Sequence, residues 1–203
     1  QSWYADLDEF NMSETYGELY VDYAAETFSF GLDFRPILYQ VDGDDFLLVF
    51  EATPHVTYEF SESLMSRLSY TYSGNDYRQD DYDERSGRSH EGFLNTVYYL
   101  ADDRGYVFGG AGYEISTADA SEFNYGKMKV ELGGRFELGW QLRIDLLGKF
   151  WQKNYAEEDS VEEDKRRDSR YEGAVSLSRN LHFDWLRVAV ECVYTQNISN
   201  FDN

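Results

Sequence analysis

Long stretches of this chain alternate apolar and polar side chains at every second residue, and that period limits the fold more than any other feature. From Lys127 to Leu138, Met128, Val130, Leu132, Phe136 and Leu138 interleave with Lys127, Lys129, Glu131, Arg135 and Glu137. Successive side chains of a strand point to opposite faces, whereas a helix would scatter the same set around its circumference. The segment is therefore expected to be a strand with one apolar and one charged face. Leu142, Ile144, Leu146 and Phe150 repeat the pattern against Arg143, Asp145 and Lys149, as do Leu186, Val188, Val190, Cys192 and Tyr194 against Arg187 and Glu191. Less regular versions run from Phe28 to Arg35 and from Phe46 to Phe60. With weaker runs near 14–24, 63–73, 91–100, 104–116 and 170–178, about ten strands are expected.

These strands exceed the ~5–6 residues usual in globular proteins and reach the ~9–11 residues with which a tilted strand crosses lipid hydrocarbon. Short connections are expected near 24–26, 59–63, 101–105, 137–140 and 180–184, and longer polar ones at 40–45, 73–90, 116–124 and 153–169. Short turns at one rim and long loops at the other characterise outer-membrane barrels. The expected fold is thus all-β: an antiparallel up-and-down transmembrane β-barrel with about ten strands visible. A soluble lipid-binding barrel would alternate too, but with its apolar face inward. Aromatic residues such as Trp140 and Tyr194 on the apolar face suit a membrane interface.

This arrangement leaves both chain ends on the outer side. Residues 1–203 are accordingly read as a single barrel domain that is a segment of a longer chain. A strand would run up into Tyr4 to Phe10, another would follow Asn203, and twelve strands would complete the barrel. Pro36 and Pro54 each remove a ladder donor, so bulges or strand ends are expected there. Gly109, Gly110, Gly112, Gly133 and Gly134 mark bending and close approach, or room for neighbouring tyrosines.

Composition removes other classes. With 39 acidic against 18 basic side chains, the net charge of −21 would repel a phosphate backbone, so nucleic acid is not an expected partner. The single Cys192 cannot form an internal disulfide, and no Cys/His spacing suggests zinc. The longest apolar runs, such as Phe46 to Phe50, are far below the ~20 residues of a membrane-spanning helix.

The run from Tyr106 to Tyr113, the segment from Gly134 to Trp140 and the tail from Tyr194 to Asn200 resemble the C-terminal barrels of bacterial outer-membrane export and assembly proteins, including the surface-lipoprotein assembly modifiers. The resemblance lies in pattern more than in identity. It implies a bacterial outer-membrane location and an export or assembly role, beside a helical-repeat region that these residues lack. The expected partners are the lipid bilayer and lipopolysaccharide, with an exported substrate or a periplasmic or surface protein.

Chemistry is sparsely represented, and the chain is read as non-enzymatic, with no cofactor and no metal. Ser199 and Asn200 mimic part of a phospholipase motif, but Asn197 stands where the activating histidine would be needed. Asp80, Asp81, Asp83 and His90 share one expected loop. The acidic runs Asp42 to Asp45 and Glu157 to Asp164 lack the spacing of a Ca²⁺ loop and are expected to be solvated. The residues that stand out are the charges expected to line the lumen: Arg35, Arg67, Lys127, Lys129, Glu131, Arg135, Arg143, Asp145, Arg187 and Glu191. They would line a narrow polar pore, or pair with one another to plug a structural or adhesive barrel.

Overall fold

The computed structural model describes residues 11–101, 104–158, 164–181 and 186–201. Eleven strands follow one another: β1 (Met12–Tyr16), β2 (Leu19–Ala24), β3 (Phe28–Val41), β4 (Asp44–Ser61), β5 (Leu64–Tyr77), β6 (Gly87–Tyr99), β7 (Gly105–Ala118), β8 (Tyr125–Leu138), β9 (Leu142–Glu158), β10 (Lys165–Asn180) and β11 (Arg187–Ser199). They form one antiparallel up-and-down sheet in which each strand from β3 to β11 pairs with its neighbours in sequence. β1 and β2 share the first edge, both on β3. The sheet stays open between that edge and β11. Tyr4 to Phe10, into which a preceding strand is expected to run, lie outside the described residues.

The break between β1 and β2 has a local cause. Tyr16 faces Ile37 and Leu19 faces Phe34, so the register continues unchanged across Gly17 and Glu18. Gly17 donates its N–H to the Pro36 carbonyl at 3.1 Å, but Pro36 has no N–H to return. The two segments are thus one course with a missing rung, and the sheet has ten courses. Pro54 likewise interrupts the β4–β5 ladder between the Ala52↔Tyr72 and His55↔Ser69 pairs without shifting register. Among the described residues the bulges fall elsewhere, between Tyr39 and Gln40, between Glu59 and Ser61 and between Lys165 and Arg167.

The loops are shorter than the sequence suggests. The 40–45 connection is a tight turn through Asp42 and Gly43, both at positive φ. β9 and β10 extend through much of the polar 153–169 region, whose residues 159–163 lie outside the described set. Of the connections expected to be long, 78–86 retains most length, and Asp80–Arg85 winds there into a 3₁₀ turn. A second such turn, Ser121–Phe123, precedes β8.

Burial is inverted relative to a water-soluble domain. Among the described residues only Ile37 and Val49 are buried apolar side chains, while His55, Thr57, Ser73, Ser89, Glu114, Ser116 and Ser178 are buried polar ones. On the other face Leu132 is 63% and Val190 67% exposed, in company with Phe30, Leu68, Leu94, Tyr113 and Tyr171. Among the described residues no apolar core lies behind these groups. The soluble arrangement, with apolar side chains gathered inside, is not the one observed.

Candidate functional site

Register places all ten charged residues singled out above on one face. Arg35 faces Glu51, which faces Ser73. Arg67 faces Asn95, Asn95 faces Gly110, and Gly110 faces Glu131. Glu131 faces Lys149, in turn opposite Glu172, while Glu191 lies opposite Ser176. Because paired residues across antiparallel strands share a face, this row carries the polar side through the sheet.

Most of these charges are matched. Arg35 donates to Glu51 Oε2 from Nη2 at 2.7 Å and from Nε at 3.0 Å. Arg135 pairs with Asp145 and Arg143 with Glu137, each at 2.5 Å. Arg67 donates to Thr57 Oγ1 at 3.0 Å and Arg187 to Ser178 Oγ at 2.5 Å. Glu191 is exposed on β11. The densest group surrounds Glu114, whose carboxylate accepts from Lys127 Nζ at 2.7 Å and from the Tyr125 hydroxyl at 2.7 Å, with Lys129 Nζ at 3.2 Å. Lys129 also donates to Glu91. Side-chain exposure of 8% for Glu114 and 19% for Lys127 makes this a largely buried ion pair.

Glycine explains how side chains two strands apart can meet. Alternate strands are about 9.5 Å apart, so a bridge must pass over the strand between them. Lys129 to Glu91 and Asn95 to Glu131, the latter at 3.0 Å, both link β6 to β8 over β7. There β7 carries Gly110 and Gly112 on the polar face. A Cβ at Gly112 would come within 2.4 Å of Phe93 Cδ2, and one at Gly110 within 2.6 Å of Phe93 Cε1. The same device recurs over β3: Gly31 leaves room for His55 Nε2 to reach Asp22 on β2 at 3.2 Å, while His55 Nδ1 faces Asp33 at 3.5 Å. These glycines therefore serve close approach: Gly110 and Gly112 admit Phe93 and Gly31 admits His55, while Gly126 makes room for the Tyr113 hydroxyl.

Glu51, Glu91, Glu114, Asn95 and Tyr125 complete these networks and were not singled out from the sequence. Glu114 and Ser116 do alternate with Tyr113 and Ile115, which is the signal that could have placed Glu114 on the polar face. One sequence-based expectation changes. His90 lies in β6 rather than in the acidic loop, accepting from or donating to the Tyr70 hydroxyl through Nδ1 at 2.5 Å. Asp80, Asp81 and Asp83 remain in the 3₁₀ turn before that strand, so the four residues do not share one loop. His182 lies outside the described residues.

A family model for surface lipoprotein assembly modifiers matches residues 51–202, about three quarters of the chain. The chain belongs to this family. The match runs from within β4 to the end of β11 and contains every charge in the networks of β5 to β11, while β1 to β3 precede it. This membership agrees with the resemblance in the segments around Tyr106, Gly134 and Tyr194, and it suggests a role in surface lipoprotein assembly. No curated protein sequence and no solved structure matches the chain.

Proposed function

We propose that this chain forms part of a bacterial outer-membrane β-barrel, with its apolar face against lipid and its charged face around a narrow polar path, and that it serves as the membrane part of an apparatus assembling lipoproteins at the cell surface. One observation carries the membrane reading: large apolar side chains remain exposed along the whole sheet while the opposite face satisfies its charges internally. In water such a continuous apolar surface would drive association, whereas in hydrocarbon it is the solvated face. Closure would join the β1–β2 course, directly or through further strands, to β11, removing two edges that otherwise expose unpaired backbone groups. The bilayer, lipopolysaccharide at the loop rim and an exported lipoprotein or its carrier are then the partners. The family description supports the assembly role.

A second reading, a plugged lumen, is favoured by the paired Arg, Lys and carboxylate groups. Barrels of about eight strands are filled by side chains and those of sixteen or more hold channels, so ten courses leave both states open. Two measurements test the proposal. Folded protein should migrate faster in SDS before heating than after, and removal of the chain from its parent cell should lower lipoprotein display at the surface. An absent mobility shift would argue against the barrel; unchanged display would argue against the assembly role. Conductance in planar bilayers separates path from plug: Arg135→Ala or Arg143→Ala alters ion preference only where those groups line an open route.

A further inference from the structure

At the loop end of the polar face, β5, β7, β8, β9 and β10 and the 3₁₀ turns Asp80–Arg85 and Ser121–Phe123 line a cavity of about 310 Å³. That is the lower end of the ~300–1,000 Å³ typical of small-molecule sites. Its walls include Tyr77, Phe123, Tyr125 and Tyr155, and its charged groups are Arg85, Lys153, Arg166, Glu122 and Glu157.

We propose that this cavity binds a small oxyanion, the phosphate or carboxylate group of a ligand no larger than a monosaccharide. Lys153 is the central observation. It is half-buried, with Nζ 3.7 Å from the centre of the Tyr125 ring and 4.8 Å from that of Tyr155, and among the described residues it has neither a hydrogen-bond acceptor nor a carboxylate within ion-pair distance. Arg85 is held similarly, 5.2 Å over Tyr82 and 5.0 Å over Phe123, again without a carboxylate partner among the described residues. By contrast Lys127, Lys129, Arg135 and Arg143 are each matched to an acid. Aromatic faces hold a cation without accepting its N–H bonds along their own directions, so both side chains are positioned with donors to spare.

The other charges shape what can enter. Arg166 is paired with Asp168 at 3.0 Å, and Glu122 and Glu157 are exposed. A ligand would therefore bring its anionic end to Lys153 and leave an uncharged or cationic remainder beside the two glutamates. The chain's overall charge of −21 acts weakly here, because exposed charges farther than about 8 Å are screened at physiological ionic strength.

Calorimetric titration of the full folded chain in detergent micelles tests this site independently of any membrane function, with glucose 6-phosphate, glucose and inorganic phosphate as probes. Glucose 6-phosphate should bind and glucose should not. Lys153→Met and Arg85→Gln should each weaken binding about tenfold or more, as expected for loss of a charged hydrogen bond. Lys153→Arg should retain binding, and Lys149→Met, outside the cavity, should leave it unchanged. Inorganic phosphate binding as tightly as the sugar phosphate identifies the free oxyanion as sufficient; tighter sugar phosphate binding identifies a ligand-borne group. The heating shift in SDS verifies that each variant is folded. Equal binding of glucose, unchanged binding by folded Lys153→Met, or no binding of either phosphate probe would overturn the proposal.

Discussion

At the scale of single residues, the polar face depends on groups that satisfy one another because little else is available to them. Glu114 receives Lys127, Lys129 and Tyr125 together. Removing one member of a buried ion pair leaves an uncompensated charge, which costs more than the intact pair contributes. Glu114→Gln should therefore destabilise the chain by about 3 kcal/mol, while Glu114→Gln combined with Lys127→Met should cost less than the two single changes summed. Reversible urea unfolding in micelles measures the cycle, and strict additivity would show that the pair is not coupled. Alternation alone placed Lys127, Lys129, Glu131 and Arg135 on the polar face. It could not reveal that Glu91 meets Lys129, because that contact depends on a residue of the intervening strand having no side chain. Strand-to-strand register, not local sequence, brings Gly112 between them.

At the scale of strands, prolines show both the reach and the limit of the sequence. A missing donor at Pro36 was legible, and the structure shows its effect as the break between β1 and β2. The bulges, however, lie near strand ends, at Tyr39/Gln40 and Glu59/Ser61, where tight connections displace the register, and at Lys165/Arg167. The loop at 40–45 was misjudged for a related reason: Asp42, Gly43 and Asp44 look like a solvated acidic stretch, yet Asp and Gly also tolerate the positive φ of a tight hairpin turn. Pro36→Val should restore an N–H facing the Gly17 carbonyl and join β1 to β2. Hydrogen exchange should then show a slowly exchanging amide at residue 36. Stability should change by no more than about 1 kcal/mol, because the new bond is offset by the extra freedom of the unfolded chain. Fast exchange at that amide would mean that Gly17 and Glu18 depart from β3 for reasons unconnected with the missing donor.

At the scale of the whole molecule, the two faces of the sheet make opposite demands on the solvent. Leu132 is 63% exposed, so in water its replacement by arginine would remove apolar surface from contact with solvent and would be neutral or favourable. In a bilayer the same substitution puts a charge among lipid tails, at about 2–4 kcal/mol near the midplane and much less toward either interface. Leu132→Arg should therefore lower stability in lipid vesicles by about that amount, and Leu138→Arg, at the end of the same strand beside the turn, by less than about 1 kcal/mol. The neighbouring Glu131→Gln supplies the comparison on the polar face, where it removes a charge but leaves an oxygen to accept from Asn95. Its effect should be smaller than that of Leu132→Arg despite the adjacent position, because successive residues face different media. Urea unfolding from vesicles gives all three values. A dependence on depth along β8 would support hydrocarbon contact at Leu132, whereas equal tolerance at residues 132 and 138 would assign that face to water or to another protein surface.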